Sequence, residues 1–172
     1  MVKVKAEITL KKRKVAIFDI DGTIHRSSLL VELVDVLIER KLFPENARAE
    51  FEEKRVRWLE RKGDYYSYIM AVVDVFKKHM KGIYYGDMMD ASKEVLKRKK
   101  DYTYVYTRQA IDTLKKEGYY LLAISLSPKF IVDLFAEHFG FDKSYGIFYP
   151  TGATEKFDGT TDFEDLMKNK RA

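Results

Sequence analysis

The stretch that decides the fold is Val15-Ala16-Ile17-Phe18-Asp19-Ile20-Asp21-Gly22-Thr23, in which an apolar run leads to two carboxylates and a glycine. The apolar run lacks polar alternation, which is typical of a strand buried on both faces of a parallel sheet. Ligands of such sheets bind at the carboxyl ends of the strands. Because side chains two residues apart in a strand point to the same face, we expect Asp19 and Asp21 to face one site that attracts a hard cation.

The same residues allow a second interpretation, because Asp-Gly between apolar residues is the strongest short-range signal for a β-hairpin. A hairpin requires a second strand after the turn. Residues 27–40 instead place two serines in N-cap position before a long apolar helix pattern, which ends ahead of Pro44. The order of strand, carboxylate turn and helix therefore favours a phosphoryl-transfer site over a simple turn.

The motif Asp-x-Asp-Gly-Thr at residues 19–23, directly after an apolar strand, resembles the first motif of the haloacid dehalogenase superfamily. Members of this superfamily are mostly magnesium-dependent phosphatases. The resemblance implies an α/β fold with a Rossmann-like parallel sheet, and Mg²⁺ bound by Asp19 and Asp21. It also implies that Asp19 is the nucleophile, that Asp21 is the general acid and base, and that Gly22 and Thr23 bind phosphate.

Residues 27–100 contain almost only helix patterns, many more than the roughly dozen residues that one crossover between parallel strands needs. After the first helix we expect three more: residues 44–61, residues 65–81 capped by Asp64, and a segment capped by Asp87.

This helical segment resembles the cap that the phosphoserine phosphatase-like branch of the superfamily inserts after its first motif. The resemblance implies two domains. We expect an α/β core made of residues 1–26 and 101–172, and an all-helical cap made of residues 27–100.

A second apolar run, residues 119–125, predicts another buried strand, and a helix pattern follows at residues 129–139. Ser127 is expected as the N-cap of that helix and Pro128 as its first residue. The Ser125 hydroxyl at the strand end is either hydrogen-bonded within the protein or part of a phosphate site. Together with the first motif, Ser125 resembles the second motif of the family, which implies phosphate binding.

The last part of the chain predicts a third strand at residues 145–149 and a hairpin at residues 154–161 turned at Asp158-Gly159. The hairpin resembles a small flap of the same family branch. Lys170 lies near the position of the family's phosphate-binding lysine. The alternative for Lys170 is a solvated lysine at a frayed terminus.

The family's acidic motif, which completes the magnesium shell, has no place in the sequence, because two residues follow Lys170. Residues 86–90 are superficially similar, but they precede the second motif and stand at a helix start. Asp162, Glu164 and Asp165 are candidate substitutes. We therefore keep an alternative in which the chain is a fragment or a degenerate member that retains only an anion-binding role.

Composition limits the class of protein. The chain has 172 residues, 46% of them hydrophobic, and no cysteine, which excludes disulfides, thiolate catalysis and cysteine-ligated zinc. No apolar run reaches the about 20 residues of a membrane span, and no secretory leader is recognisable, so we expect a cytoplasmic protein. The net charge of +5 raises a nucleic-acid-binding hypothesis, but the lysines are scattered among glutamates. A small phosphorylated metabolite is the expected partner.

Aromatic residues cluster in the helical segment, where Trp58, Tyr65, Tyr66 and Tyr68 stand close in sequence. Aromatic residues at helical spacing usually pack against each other, so we predict that these four form part of the cap core rather than a ligand-binding cluster. His25 has no neighbouring histidine at metal-ligand spacing, and we predict a structural or surface role for it. The alternative is contact with the substrate, because His25 and Arg26 follow the catalytic turn.

Overall fold

The computed structural model of the protein describes residues 13–161. In this range it contains a parallel sheet of three strands, β1 (Val15–Asp19), β2 (Tyr120–Pro128) and β3 (Lys143–Ile147). The strand order is β1-β2-β3, and both neighbouring pairs are parallel. The predicted α/β fold with a Rossmann-like parallel sheet is confirmed.

The described part of the chain also contains six α-helices: α1 (Leu29–Glu39), α2 (Ala49–Leu59), α3 (Tyr65–Met80), α4 (Tyr85–Lys99), α5 (Val105–Lys116) and α6 (Lys129–Phe139). The first four lie between β1 and α5, in the predicted cap segment. Their buried apolar side chains join those of the sheet in one core. The division into core and cap stays a prediction. None of the helices in the described range is long and apolar enough to cross a membrane.

The register of the sheet brings the carboxyl ends of β1 and β2 together. Asp19 lies opposite Ile124, so Ser125 is the next residue along β2 at the same edge. The pairing of β2 with β3 shifts between Ile124 and Pro128, which makes the end of β2 irregular. Parallel strands expose their carboxyl ends at one edge, and the predicted site residues of both strands therefore meet there.

One face of the sheet is open among the described residues. Ile17 is 63% exposed, and Ile124 and Tyr145 are also exposed. Right-handed crossovers in the order β1-β2-β3 place the connecting helices α5 and α6 on the same face. The prediction that β1 is buried on both faces is therefore wrong within the described residues.

An aspartate is predicted as the N-cap residue of both α3 and α4, and the structure agrees for α3 alone. The cap of α3 is confirmed, because the carboxylate of Asp64 accepts a hydrogen bond from the Ser67 amide at 2.8 Å. The cap of α4 is wrong: Tyr84 is the N-cap residue and Asp87 lies in the first turn. A carboxylate in that turn still interacts favourably with the helix dipole.

The helix predicted from Pro44 begins later than expected. Pro44 is extended and precedes a 3₁₀ turn at Glu45–Arg48, and α2 starts at Ala49. The fixed φ of proline suits the residue before a helical turn, but the four residues that follow form the tighter 3₁₀ turn first.

The predicted hairpin is turned at a different place. Thr151 pairs with Phe157, and the Gly152 amide donates to the Lys156 carbonyl at 2.9 Å, so the turn lies before Lys156. The turn predicted at Asp158-Gly159 is wrong, because the Asp158 carboxylate accepts hydrogen bonds from the amide and the hydroxyl of Thr160. These bonds bend the chain locally without pairing two strands.

Gly146 provides a test of the packing beneath the site. A Cβ atom at this position would lie 2.7 Å from Lys129 Cα and 2.9 Å from the Ser127 carbonyl oxygen. We expect Gly146→Ala to lower the free energy of unfolding by about 1–3 kcal/mol, because backbone atoms must move. The matched control is Gly86→Ala in α4, where the added Cβ meets nothing within 4 Å. There we expect stabilisation by about 0.5–1 kcal/mol.

Urea unfolding monitored by circular dichroism measures both variants. Equal effects of the two substitutions would contradict the close contact at Gly146.

Candidate functional site

Asp19 is the last residue of β1 and presents an exposed carboxylate at the edge of the sheet. The hydroxyl of Thr23 donates a hydrogen bond to its Oδ2 atom at 2.8 Å. This contact fixes one oxygen of the carboxylate. An oriented, exposed carboxylate is suited to act as a nucleophile or as a ligand for a hard cation.

The turn after β1 is organised around the carbonyl of Ile20, which accepts hydrogen bonds from the amides of Thr23, Ile24 and His25 at 3.2, 2.9 and 2.9 Å. Gly22 has a φ of +79°, a conformation that favours glycine. Its amide donates to the His25 carbonyl at 2.8 Å. The amides of Gly22 and Thr23 therefore have partners inside the turn, and their binding to phosphate stays a prediction.

Asp21 joins three parts of the chain through its carboxylate. Oδ1 accepts a hydrogen bond from the Leu29 amide at the start of α1, at 2.6 Å. Oδ2 accepts from the hydroxyls of Ser125 at 2.5 Å and Ser127 at 2.8 Å. The predicted residues Asp21 and Ser125 are thus in direct contact, although 104 positions separate them.

The surroundings of Asp21 change its acidity. Burial raises the pKa of this carboxyl group above its ordinary value of 3.8, and the negative charge of Asp19 adds to the rise. The hydrogen bonds from Ser125, Leu29 and Ser127 act in the opposite direction. A carboxyl group that keeps its proton to a higher pH is better suited to act as a general acid near neutrality.

Ser127 has a different role from the one predicted. Pro128 is the N-cap residue of α6, so the prediction that Ser127 caps this helix is wrong. Its hydroxyl accepts a hydrogen bond from the Leu30 amide at 3.2 Å while it donates to Asp21. Ser127 was missed as a site residue, although its spacing of two from Ser125 along a strand is a signal for a shared face.

A cavity of about 230 Å³ opens above these carboxylates. One part of its wall is polar and consists of Asp19, Asp21, Ser28 and Ser127. The other part is apolar or aromatic and consists of Leu30, Tyr65, Tyr66, Ile69, Met70, Val73 and Leu126. Most of the second group belongs to α3, and the helical segment therefore contributes directly to the site.

The aromatic cluster divides between the core and this cavity. Tyr68 is 4% exposed, as predicted for a core residue, and its ring stacks on Trp58 at 5.5 Å. Trp58 itself is 37% exposed, so the prediction that it belongs to the core is wrong. Tyr65 and Tyr66 are 43% and 61% exposed and line the cavity, so the prediction that they belong to the core is wrong. A helix of 3.6 residues per turn places Tyr66 on a different face from Tyr68, whereas Tyr65 lies on the same side as Tyr68 but at the first, more exposed position of α3.

His25, Lys170 and three acidic residues near the end of the chain complete the set of candidate residues from the sequence. His25 is fully buried and its ring packs edge-on against Tyr102 and Phe135, which confirms a structural role. Lys170 and the candidate acidic residues at positions 162, 164 and 165 lie outside the described residues. Between residues 13 and 161, no group of three or more histidine, aspartate or glutamate side chains is arranged to hold a metal ion.

A parallel sheet whose strand ends bring an exposed aspartate, a second aspartate and two serines to one cavity defines an α/β enzyme with its site at the sheet edge. Residues 16–170 match the family model described as haloacid dehalogenase-like hydrolase. The chain belongs to this family, and the predictions of family and of a hydrolase are confirmed.

Solved structures share the fold. A phospho-aspartyl intermediate analogue of phosphoserine phosphatase is 17% identical, with a TM-score of 0.51 over 94% of this chain and 72% of that chain. A protein of unknown function from Bordetella pertussis Tohama I is 13% identical, with a TM-score of 0.66 over 94% and 74%. A phosphoserine phosphohydrolase-like protein from Francisella tularensis subsp. tularensis SCHU S4 is 13% identical, with a TM-score of 0.56 over 87% and 64%. No curated protein sequence matches the chain.

The enclosed carboxyl group of Asp21 gives a stability test. Because its folded pKa lies above the ordinary 3.8, its stabilising effect is complete below pH 3.8 and is lost as pH rises through the folded pKa. Asparagine does not ionise and can still accept from the Leu29 amide. We therefore expect Asp21→Asn to raise the free energy of unfolding at pH 7 by about 1 kcal/mol, with no gain near pH 3.5.

Urea unfolding between pH 3.5 and 7.5, in buffer with a chelator, measures this difference. Asp112→Asn on the exposed surface of α5 is the matched control and should change little at any pH. A variant that is less stable than the parent at pH 7 would mean that the three hydrogen bonds to the carboxylate outweigh its desolvation.

Proposed function

We propose that the protein is a magnesium-dependent phosphatase that hydrolyses a small phosphomonoester through an aspartyl-phosphate intermediate. The observation that carries this proposal is the exposed, oriented carboxylate of Asp19 at the end of β1, facing a cavity that also contains Asp21. The likeness in fold to a phospho-aspartyl intermediate analogue of phosphoserine phosphatase supports it.

The proposed chemistry has two steps. In the first, an oxygen of Asp19 attacks phosphorus, the bond from phosphorus to the leaving oxygen breaks, and Asp21 gives its proton to that oxygen. In the second, Asp21 takes a proton from water, which attacks phosphorus and releases Asp19. The raised pKa of Asp21 suits the first step, because the acid must hold a proton near neutral pH.

The donor set fits Mg²⁺ in kind. Mg²⁺ commonly binds one or two carboxylates together with substrate phosphate oxygens and keeps several waters. The carboxylate of Asp19 and the main-chain carbonyl of Asp21 are the proposed protein ligands. When bound there, the ion neutralises negative charge on the phosphoryl group.

Ser125, the amides of Gly22 and Thr23, and Lys170 are the proposed phosphate-binding groups. The hydroxyl of Ser125 now donates to Asp21, so it must turn toward the substrate when phosphate arrives. Phosphate oxygens and the Asp21 carboxylate therefore compete for one donor. Loss of this donor raises the pKa of Asp21 further, which favours the protonated acid when substrate is bound.

Hydrolysis of 4-nitrophenyl phosphate by the full chain, with and without Mg²⁺, tests the proposal. We expect metal-dependent turnover that falls by at least about 10³-fold in Asp19→Asn, because the nucleophile is lost. Asp112→Asn on the exposed surface of α5 is the matched control and should keep its turnover. Turnover that survives in Asp19→Asn would contradict the assignment of the nucleophile.

Asp21→Asn should separate the two steps. The 4-nitrophenolate group leaves without a proton, so the first step loses less than the second, in which water must be activated. We expect the overall rate to fall by about 10²–10⁴-fold and the phosphorylated form to accumulate. Mass spectrometry of acid-quenched protein measures the added phosphoryl group on a peptide that contains Asp19. The absence of any phosphorylated peptide under turnover would contradict the covalent intermediate.

A second candidate function is an anion-binding protein that retains the fold without catalysis. It is favoured by the lack of a third carboxylate beside Asp19 and Asp21 among residues 13–161. The two candidates differ in one measurement. A folded chain that binds phosphate, but turns over no faster than Asp19→Asn, would support the second.

A further inference from the structure

We propose that the substrate of this site carries an uncharged, apolar leaving group, such as a short branched alkyl chain or a single ring. This inference rests on the proposed phosphatase function. It comes from the apolar part of the cavity wall, to which α3 supplies Tyr66, Ile69, Met70 and Val73.

These positions form one face of α3, because residues spaced by three and four lie on the same side of a helix. Leu30 of α1 and Leu126 of β2 extend the apolar wall on the other side. The polar lining residues Asp19, Asp21 and Ser127 lie together at the ends of β1 and β2. A phosphomonoester bound with phosphorus near Asp19 would therefore place its alcohol part against apolar side chains.

The charged side chains that line the cavity among residues 13–161 disfavour a zwitterionic leaving group. Asp19 and Asp21 are the charged residues among those that line the cavity in the described range, and no lysine or arginine lies with them there. An amino acid leaving group such as serine would bring an ammonium and a carboxylate to this wall. Burying the carboxylate without a cationic partner and close to two other carboxylates costs free energy, whereas an alkyl or aryl group gains from leaving water.

The ring of Tyr65, in the aromatic part of the cavity wall, packs against two other aromatic rings. The ring of Tyr65 contacts Trp58 at 5.3 Å and Tyr68 at 6.1 Å between centroids. Burial raises the pKa of the Tyr65 phenol, and the negative charge of Asp21 raises it further, so this side chain stays neutral. The aromatic part of the cavity wall is therefore held by ring contacts and is uncharged.

The size of the cavity limits the leaving group. Its volume of about 230 Å³ lies below the roughly 300–1,000 Å³ that is typical of sites for drug-sized ligands. Part of this space must hold the phosphoryl group. The remaining volume suits a group of a few carbon atoms or one ring.

Isobutyl phosphate and O-phosphoserine form a matched pair, because methyl groups replace the ammonium and the carboxylate on the same carbon skeleton. We expect kcat/KM for isobutyl phosphate to exceed that for O-phosphoserine by at least about tenfold. Equal values, or a preference for O-phosphoserine, would overturn the inference. Turnover of 4-nitrophenyl phosphate in the same preparation reports the proposed function separately.

Binding of phosphonates distinguishes the inference from the reaction itself, since these compounds are not hydrolysed. Calorimetry should give at least about tenfold tighter binding for 3-methylbutylphosphonate than for 2-amino-4-phosphonobutanoate. This result would support the inference even if no phosphomonoester were turned over. Tighter or equal binding of the zwitterionic compound would overturn it even in an active phosphatase.

Tyr66→Arg adds a cation to the wall at a side chain that is 61% exposed, so the fold should tolerate it. We expect the ratio of kcat/KM for isobutyl phosphate over O-phosphoserine to fall by at least about tenfold, because arginine pairs with the carboxylate. The control is Tyr106→Arg, where the side chain is 84% exposed and lies outside the cavity. A similar fall in both variants would indicate a general charge effect and overturn the inference.

Discussion

The hydrogen bonds of the Asp21 carboxylate connect the parts of the site. One oxygen binds the first amide of α1, and the other binds two hydroxyls at the end of β2. These contacts join the turn after β1 to segments that lie far apart in the sequence. They also enclose the carboxyl group, and its burial is what raises its pKa. The Asp21 side chain thus connects the parts of the site and has the raised pKa that the proposed chemistry needs.

Burial of the Asp21 carboxylate costs free energy, which the rest of the fold must offset. A carboxyl group held away from water favours its protonated form, and charge on Asp19 works against its ionisation. The irregular end of β2 supplies both serine hydroxyls, and the Ser127 amide in turn donates to the Ser125 hydroxyl at 2.9 Å. Both hydroxyls that bind one oxygen of Asp21 thus lie in the irregular part of β2.

The sequence was sufficient for the features that depend on local pattern. Asp19 and Asp21 stand two apart at the end of an apolar strand, and Ser125 ends the next apolar run, so their common edge follows from parallel pairing. Ser127 was missed because Ser-Pro before a helix pattern predicts a helix cap, and the continuation of β2 to Pro128 that places its hydroxyl beside Asp21 was not predicted. Tyr65 and Tyr66 were assigned to the core wrongly, because a cluster of aromatic residues in a helix does not reveal which of them face the core.

The chain after β3 pairs with the connection between α3 and α4. Phe157 donates to the Ile83 carbonyl at 3.0 Å and accepts from the Gly82 amide at 2.8 Å, and the Tyr85 amide donates to the Glu155 carbonyl at 2.8 Å. Helix α3 therefore cannot tilt away from the sheet edge without drawing this segment along or breaking its backbone hydrogen bonds. The helix that supplies most of the apolar cavity wall is therefore held at its C-terminal end by a stretch of chain that contributes no lining residue.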